Sequence, residues 1–314
     1  MVLAFGWLSP NRAFFRVDNL FSVALNASLS MLMAAAMTFI LAAREIDLSI
    51  GTNLVFCSVI AARTITYLGG SPEEVAAGHY PYLSWAILAG IFAALAAGCL
   101  FGLVNGLLVT RLGINSFIVT LATMGIGLGV ALVLSGGRNV PYLPRTLQLD
   151  FGIRKLFGVL PAPLALVLCL CAILWFLLRF TRFGLYTLAV GSSREAAERA
   201  GIEVRSHVLK LFILMGLICG VAALLDISRF GSTNIEGHQT DNLKAIAAVV
   251  IGGTSMFGGV ATVAGSMIGS LIPVILGTGL VILRTDPFYQ LILVGLLLIV
   301  AVCLDQRRRQ SLDT

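Results

Sequence analysis

Only 15 of the 314 residues are acidic, and two of them fall together where two apolar runs are interrupted, in Arg44-Glu45-Ile46-Asp47-Leu48-Ser49-Ile50-Gly51. A charged side chain at membrane depth costs about 2.5–3.5 kcal/mol on insertion scales, so it faces a cavity or a partner. There, Glu45 and Asp47 could accept hydrogen bonds from hydroxyl groups. The same residues also suit a cytoplasmic turn, with Asp47 as N-cap of the next helix and Arg44 as its neutralising neighbour. A second interruption is Ile251-Gly252-Gly253-Thr254-Ser255-Met256-Phe257-Gly258-Gly259. Its four glycines permit a sharp break or close helix packing, and Thr254 and Ser255 can satisfy backbone groups freed there. It lacks the Gly-Lys-[Ser/Thr] of a phosphate loop. Gly51, Gly252, Gly253, Gly258 and Gly259 are thus the candidate helix breaks.

A third segment, Gly191 to Ile202, is charged: Ser192-Ser193-Arg194-Glu195-Ala196-Ala197-Glu198-Arg199-Ala200-Gly201. Ser192 or Ser193 can cap a short helix and Gly201 can end it. Small alanines between charges suit docking of another protein, and a solvated connector has the same composition. Asn105, Asn115, Ser116, Thr120 and Thr123 lie near or within apolar runs, where they could line a path or bond helix to helix. His79, His207 and His238 are read as isolated loop residues, so no metal ligand set or catalytic triad is expected. Cys57, Cys99, Cys169, Cys171, Cys219 and Cys303 all fall in apolar stretches and read as small buried hydrophobes.

These residues must be positioned by membrane helices. The chain is 58% hydrophobic and 11% charged, with a mean hydropathy of +0.98. A soluble domain carries about 25% charged residues. The expected fold is all-α: a polytopic transmembrane bundle forming a single domain over residues 1–314. Nine apolar runs are visible: Leu20–Ala43, Leu48–Leu68, Leu83–Thr110, Asn115–Leu134, Leu160–Leu178, Leu209–Leu225, Leu243–Ile251, Ala261–Leu283 and Pro287–Leu304. Leu243–Ile251 is too short to cross a bilayer straight. Met1–Ser9 reads as the end of a further, truncated span, which makes about ten.

Basic residues cluster in the connector 179–210 and at Arg307, Arg308 and Arg309. By the positive-inside rule both face the cytoplasm. Four runs separate them, an even number, as two ends on one side require. Counting back places Gly137–Val159 and Gly69–Tyr82 outside and Arg44 and Arg111 inside.

Four blocks resemble the permeases of ribose/xylose/galactose-type ABC sugar importers. Glu45–Gly51 resembles their Gly-Gly-Ile-Asp-Leu-Ser-Val-Gly signature, with Arg44-Glu45 where Gly-Gly is common. Asn105 to Met124 resembles the next block, and Phe183 to Ile202 the cytoplasmic coupling loop. Ala245 to Gly259 is similar to the run Ala-Ile-Ala-Ala-Val-Val-Leu-Gly-Gly-Thr-Ser-Leu-x-Gly-Gly. The likeness extends from Asn19 to Asp305.

The resemblance implies a type II ABC importer-like permease in the bacterial inner membrane, with a cytoplasmic C-terminus. It implies a second permease copy or related chain, an ATP-binding subunit, and a periplasmic binding protein that delivers a sugar or polyol. It implies no cofactor in this chain, ATP-Mg being bound by the partner ATPase, and no catalysis here. Glu45, Asp47, Asn105, Asn115, Ser116, Thr254 and Ser255 become candidate pathway residues. Glu195, Ala196, Ala197, Glu198 and Gly201 become the candidate ATPase-coupling helix. A secondary transporter or channel, with Asp226 as the intramembrane carboxylate, is the alternative, as is an amino-acid-type ABC permease. A membrane enzyme lacks paired carboxylates or an activated nucleophile.

Overall fold

Backbone groups in lipid must be satisfied within the protein, so each apolar run folds as a helix. The computed structural model describes residues 5–7, 9, 14–286 and 288–310. The expectation for Met1–Ser9 therefore falls largely outside the described residues. Among the described residues, the α-helices of five or more residues are α1 (Val17–Ala42), α2 (Ile50–Gly69), α3 (Pro72–Ala76), α4 (Leu83–Thr110), α5 (Ser116–Ser135), α6 (Ala162–Phe180), α7 (Arg182–Ser192), α8 (Arg194–Arg199), α9 (Val204–Phe230), α10 (Asp241–Ile251), α11 (Val263–Ile282) and α12 (Phe288–Gln310). Among the described residues, seven are long and apolar enough to cross a membrane: α1, α2, α4, α5, α6, α9 and α11. α12 holds a shorter apolar stretch, Leu291–Cys303. The chain is a multi-pass α-helical membrane protein.

α10 has 11 residues. At 1.5 Å per residue that is about 16 Å, half of a 30 Å hydrocarbon core. It ends at Ile251 because Gly252 and Gly253 follow, Gly253 at φ +93°.

The residues cluster into two compact units. The first holds Met1–Arg44, Leu156–Gly201 and Leu243–Thr314. Its centre is the second half of α1, continuously buried from Leu32 to Ala43. α11 packs closely on α10 here: a Cβ at Gly269 would stand 2.1 Å from the Ala248 carbonyl oxygen, and one at Gly252 2.4 Å from the Gly265 carbonyl carbon. Thr38 of α1 meets Ser266 of α11 hydroxyl to hydroxyl at 2.8 Å.

The second unit holds Glu45–Lys155 and Ile202–Asn242. Its centre is α4 against α9, joined through glycines spaced four apart on both helices. Cβ atoms at Gly98 and Gly102 would lie 2.2 Å from the carbonyl oxygens of Gly216 and Phe212. Those at Gly216 and Gly220 would lie 2.1 and 2.7 Å from the carbonyls of Gly98 and Ala94. Small residues let backbones approach this closely where no hydrophobic effect drives helices together. Gly98→Ala is therefore expected to force the helices apart and to cost about 1–3 kcal/mol, the usual range for overpacking. Gly125 on α5 has nothing within 4 Å of its added Cβ. Gly125→Ala serves as the control, with no loss of melting temperature in detergent.

Candidate functional site

In the second unit the site is built around the non-helical chain before α2. Cys219, midway along α9, lies 3.6 Å from the Ile50 carbonyl oxygen. α2 thus begins beside the middle of a spanning helix. Irregular backbone at such a place must be satisfied by protein. Ile46 donates its N–H to Ser116 Oγ at 3.2 Å, and its carbonyl accepts from Thr120 Oγ1 at 3.3 Å. The Leu48 carbonyl accepts from Asn242 Nδ2 at 3.1 Å, and the Ser49 carbonyl from Asn53 N at 2.7 Å.

Asp47 Oδ1 accepts from Ser49 N at 2.8 Å and Ser49 Oγ at 2.6 Å. The Ser49 hydroxyl in turn accepts from Asn105 Nδ2 at 2.9 Å. Asp47 therefore ties the chain entering α2, while the N-cap position belongs to Ser49. Asn105 Oδ1 is buried with no hydrogen-bond partner among the described residues. Glu45 is buried as well. Asn115 is exposed and caps α5 by accepting from Phe117 N at 2.9 Å.

Gly51 corrects one expectation. It is inside the first turn of α2, not at a break. A Cβ there would stand 2.1 Å from the His238 carbonyl oxygen. What it admits is the return segment 231–240, which passes along α2 toward its start. Thr233 pairs with Val140, its Oγ1 accepting from Val140 N at 2.8 Å. Ile235 packs with Val55 and Val59, His238 covers Gly51, and Asn242 reaches Leu48.

His238 closes this segment. Its Nδ1 lies 2.7 Å from Asp241 Oδ2, and its Nε2 lies 3.3 Å from Asp226 Oδ1. The second contact is an ion pair without hydrogen-bond angles, and Asp226 Oδ2 is buried with no hydrogen-bond partner among the described residues. With a carboxylate at each ring nitrogen, the imidazolium is the form that satisfies both. The histidines are thus not all isolated loop residues. His238 meets two aspartates, and His207 is buried within α9. The spacing of three between His238 and Asp241 was a visible signal; the partnership with Asp226, twelve residues back, was not.

In the first unit, Thr254 and Ser255 hold the loop after α10. Thr254 Oγ1 accepts from Thr262 N at 3.1 Å. Asp305 Oδ2 accepts from Ser255 Oγ at 3.3 Å and Met256 N at 3.1 Å. Gly258 and Gly259 take φ +78° and +80°.

α8 spans Arg194–Arg199, starting one residue earlier than the charged helix read from sequence. Ser193 Oγ caps it, accepting from Ala196 N at 3.2 Å, and Gly201 follows at φ +82°. Ala197 corrects the picture of an outward alanine face. It is 3% exposed and packs on its own chain, because it sits on the side of α8 opposite the exposed Glu195–Arg199 pair. Glu195, Ala196 and Glu198 are exposed. Desolvation lowers the Arg194 pKa from its ordinary value, with Glu198 raising it and Arg44 lowering it further.

Residues 19–302 match the family described as branched-chain amino acid transport system / permease component. The ribose import permease protein RbsC of Escherichia coli (strain K12) is 33% identical over 306 residues, covering 96% of this chain and 89% of the relative. The fructose import permease protein FrcC of Rhizobium meliloti is 32% identical over 313 residues, covering 97% and 82%. The L-arabinose ABC transporter permease protein AraH of Azospirillum brasilense is 34% identical over 293 residues, covering 93% and 81%. No solved structure gives a significant match. With two helix interruptions held by buried polar side chains and a match across nearly its whole length, this chain belongs to the branched-chain amino acid transport system / permease component family.

Proposed function

We propose that this chain is the membrane permease subunit of an ATP-driven sugar importer, in the inner membrane of a bacterium with its C-terminus in the cytoplasm. Its translocated solute is a neutral polyhydroxylated molecule. A separate ATP-binding subunit docks on α8, a periplasmic binding protein delivers the solute, and a second permease chain completes the pathway. Asp47, Ser49, Asn105 and Ser116 hold the break that borders the path.

The observation that carries this reading is the identity of about one third to ribose, fructose and arabinose permeases along more than nine-tenths of the chain. The absence of a Gly-Lys-[Ser/Thr] phosphate loop in the sequence supports hydrolysis elsewhere. Few charges converge in the spans, which suits a neutral solute and a path that releases what it admits.

The family description, which mentions branched-chain amino acids, makes the amino-acid reading the one to test against. The chain is co-expressed with its ATPase and binding protein, reconstituted, and offered labelled ribose, fructose, arabinose and leucine. ATP-dependent uptake of at least one sugar is expected. Uptake of leucine alone, or uphill uptake by the isolated chain on an ion gradient, would overturn the proposal.

A further inference from the structure

Three segments of the first unit meet at glycines, with main chain against main chain at the closest points. At the end of α1, the Ala42 carbonyl accepts from Gly259 N at 3.0 Å. At the end of α7, a Cβ on Gly191 would stand 1.8 Å from the Ala42 carbonyl oxygen and 2.7 Å from Gly259 N. In the loop after α10, a Cβ on Gly258 would stand 2.6 Å from the Gly191 carbonyl oxygen, and one on Gly259 3.2 Å from Ser192 Cβ. Gly258 and Gly259 also need their positive φ, which other residues rarely adopt. Arg44 borders the same contact, its Cβ 3.0 Å from the position of a Gly258 Cβ.

The physical consequence is stiffness. An interface of side chains absorbs a small displacement by changing rotamers. Main chain packed on main chain has no such freedom, and packed interfaces shift between discrete arrangements rather than deforming continuously. The loop is held on its far side too, by Asp305 on Ser255 and Met256 and by Thr254 on Thr262. α8 follows α7 after a single residue, Ser193.

We propose that this glycine junction is a rigid link that carries displacement of α8 directly to the end of α1 and to the loop that ends α10, with Gly191 as its positioning residue. The inference rests on the reading of α8 as the ATPase-docking helix and names the element that helix moves. Sequence spacing alone makes the glycines breaks. The contacts make Gly191 and Gly258 a seat for the coupling connector.

The test uses the assembled complex of permease, ATPase and binding protein. Gly191→Ala inserts a methyl where no neighbour can yield. Gly295→Ala on α12 is the control in the same unit, since Gly295 has nothing within 4 Å of an added Cβ and no positive φ. Gly191→Ala complexes are expected to keep basal ATP hydrolysis and to lose about tenfold of the stimulation by loaded binding protein, within the range typical of coupling between sites. Gly295→Ala complexes keep it.

Recovered Gly191→Ala complexes with undiminished stimulation would overturn the proposal, because a purely structural glycine changes yield and not the response per complex. Where Gly191→Ala fails to assemble, hydrogen exchange on the unmutated complex decides. The peptide containing the Gly259 amide is expected to stay protected both without nucleotide and in the vanadate-trapped state. Rapid exchange in either state means that the junction opens and is no rigid link. If the unmutated complex shows no stimulation at all, the docking reading fails first and takes the link with it.

Discussion

His238→Ala is expected to reduce solute uptake at least tenfold and to lower the melting temperature of the detergent-solubilised protein more than any other single change considered. The reason is what remains behind. Asp226 and Asp241 are held toward one imidazole at 3.3 and 2.7 Å, and the Asp226 side chain is 1% exposed. Removing one partner of a buried ion pair costs about 3–5 kcal/mol, because the other charge stays desolvated. Here Asp226 would lose the imidazole that faces it, and Asp241 would lose its 2.7 Å partner. The return segment 231–240 would lose the contact that presses it onto Gly51, and with it the Asn242 hydrogen bond to Leu48. A double change, His238→Asn with Asp226→Asn, removes charge on both sides and is expected to melt higher than His238→Ala. Uptake assays and thermal unfolding in parallel check this. A His238→Ala protein that melts like the parent would refute the clamp.

The second large effect is expected at Ala197. Ala197→Glu places a carboxylate in a position that is 3% exposed and faces its own chain. Burial of an unpaired charge is avoided at almost any structural cost, so α8 should lift from its seat. The spans should still insert, since none of their residues change. Stimulated ATP hydrolysis by the assembled complex is expected to disappear, and the connector 182–203 should become sensitive to trypsin. Ala196→Glu, one residue away and exposed, should leave the connector protected and the melting temperature unchanged while reducing copurification of the ATPase. Stimulated hydrolysis at the parental level in Ala197→Glu would show that α8 does not depend on this seat.

The contrast between these two neighbours marks where sequence reading stops. Ser193 as cap, Gly201 as terminator and a short helix between them are local physics, legible from residue types within eight positions of one another. Which of Ala196 and Ala197 turns inward depends on the rotational phase of a helix of only 6 residues. No periodic apolar pattern is long enough to set that phase. The nine apolar runs were legible for the opposite reason: a span repeats one requirement about 20 times, so its ends are found within a few residues. Even the brevity of α10 was visible as a run that stops at the glycines.

Gly98, Gly102, Gly216 and Gly220 carried a readable signal, the spacing of four that marks close helix packing. Their pairing across α4 and α9 was not in it, because either stripe could have met another helix. Gly51 likewise read as a break beside Ser49, and only the path of the return segment shows it to be a seat for the His238 carbonyl.

By itself, then, the sequence determined the class of protein, the helices, the two interruptions and the family resemblance, all of which follow from composition and from residues close in the chain. Tertiary structure alone decided that His238 lies between Asp226 and Asp241, that Asn105 reaches Ser49, and that Gly191 meets Ala42 and Gly258. Those contacts join residues up to about 150 positions apart. They depend on how helices of similar apolar character pair in lipid, where backbone approach and the satisfaction of buried polar groups, not hydrophobicity, select the partner.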